Sequence, residues 1–542
     1  MNKKCRVRSV PFPRNLMSLC LIILLTTIIS ISFHMTFFQL QCKCHPSAVF
    51  RENFAEISNN NDDDQKEKFG SEDTLEHTYR LRTMKEIRKH LTNMWKAVNF
   101  ELSSFKNVEN NASSVDEAII RLRERYLHLL AYIEVELEVE TEQVVKDAST
   151  AKALVQTELQ ELQNPQDCSE AFYLKVESAT CGFGCAMQHL LSRFTFAIGD
   201  QRVLVVQNPT NFYGIHDMNE IFESPSPTCS HFEVDQWQDF QSDEQSHNER
   251  FLLIKEDDEV RTRFIPQLVP EHIFDLVQRF HNYPYVWWSG QLLSYLMRAK
   301  PAVMVETDAV DFPFQKPTVG VHVRRTDKIY LEGENAAFHH LRDYMSHVED
   351  WFLKEETKLA LKSENNPKLK RRVYLATDDP MVWKEAKRYY PSYKFLGSVE
   401  RSKRAKNLRT RDTRKGLIDI IADIYSLSQS NYIVCTLTSE VCKVAYQIMQ
   451  THNVDASADI YSLDFPFYFD VQAPMMRLVT LNHVAKESTN EIELKVGDQI
   501  DVQVDNHNGY FTGKNARTGE TGMYPSYKVE NLRSTFKYAK RN

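Results

Sequence analysis

Residues 318–328 read TVGVHVRRTDK. Thr318 to Val323 is a short apolar run rich in β-branched residues, the pattern of a strand buried on both faces of a parallel sheet. The run stops on Arg324, Arg325, Asp327 and Lys328, so three cations and an acid stand at one strand end. The whole chain carries a formal net charge of −8, which makes the cluster a local device. In open parallel sheets ligands bind beyond the carboxyl ends of the strands. Arginine presents a planar fork of donors that matches phosphate oxygens. The cluster therefore suits an anionic ligand such as a pyrophosphate. The competing reading makes one arginine a structural partner of Asp327 or of another buried acid.

The same texture extends outward. RVLVVQ (202–207) follows an apolar helical stretch near Met187–Phe196, and RVYLATDD (372–379) and NYIVCT (431–436) are further short apolar runs. Helical patterns such as LRDYMSHVEDWF (341–352) and PMVWKEAKRYY (380–390) separate them. The alternation predicts an α/β body with parallel sheets and crossover helices. Two more strand ends are polar: Asp378 and Asp379 at one, Thr436, Thr438 and Ser439 at the other. CGFGC (181–185) adds a glycine turn into a helix. Hydroxyls and amides at helix N-termini can hold phosphate; taken singly, each of these groups also reads as an ordinary helix cap.

With 542 residues the chain exceeds one domain of roughly 150 residues. Mild acidity excludes the basic surface of a nucleic-acid binder. Leu16 to Phe33 is uncharged and mostly apolar, and Lys3, Lys4, Arg6, Arg8 and Arg14 precede it. This predicts a membrane anchor with the N-terminus in the cytosol and the bulk across the membrane; the alternative is a cleaved signal peptide. Residues 41–75 have the composition of a disordered linker. Met84, Ile87, Leu91, Met94 and Val98, then Ile119, Leu122, Tyr126, Leu129 and Ile133, follow heptad spacing. They predict either a dimerising coiled coil or helices packed on the body. Residues 477–532 combine short strands and tight turns, the texture of a small all-β barrel.

Six cysteines lie beyond the anchor region, an even number that suits an oxidising compartment. The short separations Cys181–Cys185 and Cys435–Cys442 suggest local clips, which leaves Cys168 with Cys229. A four-cysteine zinc site is the rival, but no second close pair neighbours CGFGC in sequence. An Asp-x-Asp pair after a strand would suit a divalent metal that holds a phosphate. Here such a run occurs only at Asp62–Asp64, within the polar linker, so no metal is expected.

Five blocks, VGVHVRRTDK, AAFHHLRDYMSHVEDWF, VYLATDDP, IYSLSQSNYIVCTLTSEVCKVAYQIMQ and TGMYPSYKV, together resemble the α1,6-fucosyltransferase family of N-glycan core fucosylation. The resemblance runs from about Asn164 to Leu532. It implies a GT-B-like glycosyltransferase body, an N-terminal helical stem and a C-terminal SH3-like β-barrel. The implied division is a cytosolic tail 1–15, a transmembrane signal anchor 16–38, a linker 39–79, a coiled-coil stem 80–163, a catalytic domain 164–470, an SH3-like domain 471–533 and a tail 534–542. It implies a single-pass type II Golgi protein acting on N-glycans of glycoproteins with GDP-fucose as donor substrate and no cofactor; the heptad seams add a homodimer.

Site residues carry over by position. Arg324 resembles the pyrophosphate-binding arginine, with His322, Arg325 and Asp327 at the same strand end. Tyr213 resembles a tyrosine that reaches the nucleotide, Asp423 the guanine-reading carboxylate and Ser439 a phosphate-contacting serine. Asp464 and His507 are the acceptor contacts that the resemblance implies. The family's catalytic glutamate directly precedes Ala-Ala-Phe-His, whereas KIYLEGENAAFHH is longer; Glu334 is preferred for proximity, Glu332 is the alternative, and Lys328 is the orienting partner. Glu440 stands where the family commonly has glutamine, and the run holding His507 is shorter than the family's. Rival classes are another GDP-fucose-dependent fucosyltransferase, such as a protein O-fucosyltransferase, which would lack the β-rich C-terminus, and a non-catalytic membrane-tethered binding protein, which would have no need of Arg324, Asp423 and a nearby glutamate together.

Overall fold

The computed structural model describes residues 72–542 except 107–111, 139–141, 180, 208–211, 231–235, 243–245, 257–268, 308–314, 328–337, 364–367, 465–474, 486–489 and 541–542. Nearly all of them belong to one compact unit, Glu76–Asn542; of the other, Met1–Leu75, only the start of a helix is described. Residues 16–38 lie outside the described set. Among the described residues no helix is long and apolar enough to cross a membrane.

Three helices come first: α1 (Glu72–Lys106), α2 (Ala112–Leu137) and α3 (Glu142–Gln163). Helix α1 begins inside the span read as linker. A charged first turn reads as solvated by composition, yet it continues the helix that the Met84 seam requires. The heptad seams are buried only in part, and Leu129 of the second is 37% exposed. Met84, Leu127, Leu130, Ala131 and Ile133 are buried, and Trp95 of α1 stacks on Tyr126 of α2 at 5.1 Å. Helix α2 lies against a body helix through Arg123–Asp350 and through Glu134, which pairs with Lys354 at 2.8 Å and Lys358 at 3.2 Å. Helix α3 sends Ala151, Val155 and Leu159 into the main core, so no structural gap separates stem from body at Gln163.

The body holds two all-parallel sheets. The first has the order β2-β1-β4-β3, from β1 (Tyr173–Glu177), β2 (Val203–Gln207), β3 (Gln238–Asp239) and β4 (Phe251–Ile254). The helix α4 (Phe183–Gly199) connects β1 to β2. After β5 (Val269–Pro270) and α5 (Pro284–Leu296) comes the second sheet, with the order β10-β9-β6-β7-β8. It consists of β6 (Val319–Val323), β7 (Arg372–Thr377), β8 (Lys394–Leu396), β9 (Tyr432–Cys435) and β10 (Ile460–Ser462). Its helices are α6 (Leu341–Lys362), α7 (Pro380–Tyr389), α8 (Val399–Lys406), α9 (Arg414–Ser428) and α10 (Glu440–Met449). All five residues of β6 are buried, as its unbroken apolar run requires. The chain runs outward from β6 through β7 and β8, then returns past β6 to β9 and β10. The order reverses between β6 and β9, and such a switch point opens a crevice at the strands' carboxyl ends.

The C-terminal residues form two antiparallel three-stranded sheets. One pairs β11 (Met475–Val479) with β12 (Gln499–Val502) and β16 (Val529–Asn531); the other joins β13 (Val504–Asp505), β14 (Tyr510–Lys514) and β15 (Thr521–Pro525). Val479, Ile492, Leu494, Ile500, Tyr524 and Val529 make their shared core. This unit sits on the first stem helix. Gly509, at φ +86°, approaches α1 so closely that a Cβ there would lie 3.0 Å from Ala97, and Lys96 bonds Asp505 at 3.1 Å.

The segment read as a tail, 534–542, packs on the body where it is described. β17 (Thr535–Phe536) pairs in parallel with β5, Phe536 is 7% exposed, and Tyr538 donates to Glu158 at 2.9 Å. One aromatic on a chain end carries no periodicity, which is why the sequence pattern missed it. Phe536→Ala should lower stability by about 3 kcal/mol, at the low end for a buried Phe-to-Ala change near the surface. Thermal unfolding of the variant checks this through its midpoint.

Candidate functional site

Arg324 leaves β6 at the switch point and meets two carboxylates. It donates to Asp378 at the tip of β7 and pairs with Asp327 at 2.7 Å. Asp378 is buried and is satisfied further by the backbone N–H of Arg325 at 2.9 Å and of Thr326 at 3.1 Å. Asp327 in turn takes Arg411 at 3.0 Å. A row of alternating charge results: Asp378, Arg324, Asp327, Arg411. Burial works against the Arg324 charge, but Asp378 and Asp327 outweigh it and raise its pKa. Burial likewise opposes the Asp327 charge, and Arg324 and Arg411 outweigh it and hold that carboxyl below its usual range. The side chain of Arg324 is 21% exposed, so it is not sealed from solvent.

Arg325 has a different situation. It is 4% exposed and donates to Glu385 at 2.7 Å and to the His339 carbonyl at 3.1 Å, with its plane over Phe338. It locks the start of α6 to α7, so both arginines are ion-paired: Arg324 with Asp327 and the buried Asp378, Arg325 with Glu385. Asp379 caps α7 by accepting from the Met381 N–H at 3.0 Å, the ordinary role weighed for it. His322 is buried within β6.

Two helix N-termini converge beside Arg324. Gly182 and Phe183 open α4, and Ser439 is the N-cap of α10 without a side-chain cap bond. Gly184 makes the convergence possible, because a Cβ there would lie 2.7 Å from the Glu440 carbonyl carbon. The Tyr213 hydroxyl accepts from the Phe183 N–H at 3.0 Å. Burial raises the Tyr213 pKa, and Arg411 and Arg324 are close enough to pull against it. Tyr213 thus faces the charged row across the crevice. Its backbone, at φ +52°, takes the left-handed conformation that non-glycine residues seldom adopt.

Asp464 braces the loop that carries Ser439. Its Oδ1 accepts from the Leu437 N–H and the Ser462 hydroxyl, each at 2.7 Å, and its Oδ2 accepts from Thr438. His507 lies in the C-terminal unit, its N–H donating to Asp505 at 2.9 Å. Both residues lie within electrostatic reach of His339, whose own pKa burial lowers. Lys328, Glu332 and Glu334 fall in 328–337, outside the described residues.

Asp423 projects from α9 behind the crevice. Tyr374 Oη donates to its Oδ1 at 2.8 Å and Arg401 Nη1 at 3.3 Å. Burial pushes its pKa up to about 6, with Arg401 and the Tyr374 hydroxyl opposing the rise. Disulfides join Cys168 to Cys229, Cys181 to Cys185 and Cys435 to Cys442. The last clips the strand end before Ser439, and the second clips the turn into α4. Cys181, Cys185 and His189 come together as a group of possible metal ligands among the described residues, but the two sulfurs are bonded to each other. Arg411, Arg401 and Tyr374 were not among the residues that sequence reasoning selected. The basic run 399–415 in an acidic chain was the available signal for the two arginines; Tyr374 looked like any buried strand residue.

These parts define an α/β protein with a row of paired charges at the topological switch point of its second sheet. The chain belongs to the alpha-(1,6)-fucosyltransferase family: residues 41–468 match the family model for the N- and catalytic domains. An alpha-(1,6)-fucosyltransferase of Drosophila melanogaster is 36% identical over 398 residues, 72% of this chain and 62% of that protein. The match therefore spans less than two thirds of the fly relative. One of Caenorhabditis elegans is 36% identical over 388 residues, 70% of this chain and 67% of that protein. Among solved structures, a mutant of Arabidopsis thaliana FUT1 in complex with GDP aligns over 57% of this chain and 78% of its own, at TM-score 0.32 and 14% identity. A likeness that distant bears on neither site nor ligand.

Proposed function

We propose that this chain is a glycoprotein 6-α-L-fucosyltransferase that moves fucose from GDP-fucose to O6 of the innermost GlcNAc of N-glycans. The family match over 41–468 carries this reading. The charge layout at the end of β6 supports it, since a pyrophosphate fits a partly exposed arginine flanked by two helix N-termini. In this reading Arg324 and Ser439 hold the pyrophosphate, Tyr213 packs beside the nucleotide and Asp423 accepts from guanine. The body is GT-B-like and the C-terminal sheets are an SH3-like barrel that brings His507 to the acceptor. The protein is a type II Golgi membrane protein that dimerises through its stem.

The chemistry is one displacement. O6 of the acceptor attacks C1 of fucose, the bond from C1 to the pyrophosphate oxygen breaks, and GDP leaves with the electron pair. The donor is β-linked and the product α-linked, so C1 inverts. A carboxylate, Glu334 in our assignment, takes the O6 proton. Arg324 stabilises the charge that develops on GDP, and Lys328 orients the base or a phosphate. Transfer of labelled fucose from GDP-fucose to defined N-glycans, with linkage analysis, tests the proposal; a different linkage, or no transfer by folded protein, overturns it.

The reaction should run without a divalent ion, because Arg324 and the helix N-termini supply the positive potential that Mn²⁺ or Mg²⁺ supplies elsewhere. Full activity in EDTA is the expected result. A large loss restored by added metal would sink the metal-independent mechanism.

A further inference from the structure

Asp423 is gripped by one oxygen. Oδ1 accepts from both Tyr374 and Arg401, and Arg401 Nη1 also donates to Tyr374 Oη at 3.0 Å, closing a three-membered ring of contacts. Oδ2 has no hydrogen-bond partner among the described residues, and the side chain keeps 19% of its surface exposed. The grip itself is anchored. Tyr374 is 2% exposed in the middle of β7. Arg401 donates through Nη2 to the Thr307 carbonyl, and its Nε lies 3.8 Å from Asp419. Asp419 is held in turn by Arg404 at 2.5 and 3.0 Å. Three elements, β7, α8 and α9, thus converge on the orientation of one carboxylate.

We propose that Tyr374 and Arg401 are positioning residues for nucleobase selection. They fix Asp423 through Oδ1 so that ionised Oδ2 meets a base edge that offers N–H donors. Guanine offers N1–H and N2–H there. Adenine turns the lone pair of N1 toward the same oxygen, so a carboxylate held in place rejects it. A carboxylate free to rotate would discriminate less, because it could withdraw from the adenine lone pair. The inference rests on reading Asp423 as the base-contacting carboxylate.

The charge state enters as well. Asp423 is faced by Arg401 from α8 and Tyr374 from β7, and by Asp419 on its own helix; Asp419 is itself paired with Arg404 and lies 3.6 Å from Lys415. Burial sets the Asp423 pKa at about 6, so the ionised form that accepts from guanine is lost as pH falls through that value. Removing the Arg401 charge takes away a group that favours ionisation. The low-pH limb of GDP binding then moves to higher pH.

The test is calorimetric titration of the full chain with GDP and with ADP, from acidic to mildly alkaline pH. Wild type is compared with Tyr374→Phe, Arg401→Gln, Arg401→Lys and Asp423→Asn. Tyr374→Phe should reduce the preference for GDP over ADP by about three- to tenfold, the loss of one hydrogen bond. Arg401→Gln should bind GDP about tenfold more weakly near pH 6 and recover toward wild type as pH rises. Arg401→Lys, which keeps the charge, should keep the wild-type limb. If Asp423→Asn binds GDP like wild type, the reading of Asp423 fails and the inference fails with it. If Asp423→Asn is weak while Tyr374→Phe and Arg401→Gln leave both the limb and the GDP:ADP ratio unchanged, the positioning role alone is overturned. Losses equal at every pH and equal for both nucleotides also overturn it, since a merely structural role behaves that way. Tyr374→Phe keeps the buried ring, so the ratio stays measurable even if the Arg401 variants fold poorly.

Discussion

Arg324→Ala should weaken GDP and GDP-fucose binding by about tenfold to several hundredfold, the scale of losing a charge-assisted hydrogen bond of about 1.5–3 kcal/mol. The surroundings of Arg324 make the result interpretable. Asp378 keeps the N–H groups of Arg325 and Thr326 and the Thr326 hydroxyl when the guanidinium is gone, so its carboxylate is not stranded. The fold at the end of β6 therefore survives, and the loss falls on the ligand. Arg324→Lys should not restore affinity. An ammonium can pair with Asp378 or with a phosphate, but it cannot reproduce the planar fork that spans Asp378, Asp327 and an incoming pyrophosphate together. Titration at fixed ionic strength, with the unfolding midpoint measured alongside, checks both variants. Wild-type affinity in Arg324→Ala would remove this strand end from the donor site.

Glu334→Gln should leave GDP binding intact and reduce transfer by roughly 10²–10⁴-fold, because the amide keeps the size of the carboxylate and removes its basicity. Single-turnover transfer, compared with GDP titration on the same protein, separates the two effects. Glu332→Gln is the paired measurement. If it is inactive and Glu334→Gln is near wild type, the base is Glu332 and the displacement mechanism stands. If both variants transfer fucose at the wild-type rate while binding GDP, a carboxylate base from this segment is excluded. The segment leads directly into His339, which is tied to Arg325 and lies near Asp464 and His507.

Much of the fold was legible because its information is local and periodic. The strands Val319–Val323, Arg372–Thr377 and Tyr432–Cys435 coincide with the apolar runs read from the sequence. So do α6 and α7 between them, since each element must match its own period to bury one face. Of the four strands of the first sheet only one was visible. Val203–Gln207 announced itself, but Tyr173–Glu177, with Lys175 and Glu177 interrupting its apolar residues, did not. Sheet order was not legible at all. That β6 lies between β7 and β9, and hence that Arg324 opens onto a switch point, is a long-range packing result.

The site divides along the same line. By itself, the sequence determined which residue types stand at the strand ends: Arg324, Asp378, Thr438 and Ser439, with a glycine turn at Gly182. These follow from a strand pattern running out into polar residues, and the family resemblance rested on the same blocks. It left the partners open. Which carboxylate each arginine takes depended on distant partners: Glu385, 60 residues away, takes Arg325, and Asp378, 54 residues away, takes Arg324. Arg411 joins the row at Asp327 across 84 residues, and Tyr374 reaches Asp423 across 49. The dual engagement of Asp464 and the docking of Phe536 on β5 are of the same kind. Residue type and period are local properties that the chain states outright. The choice of partner among several chemically equal carboxylates and cations is a competition for burial and hydrogen-bond geometry, and only the packed tertiary structure resolves it.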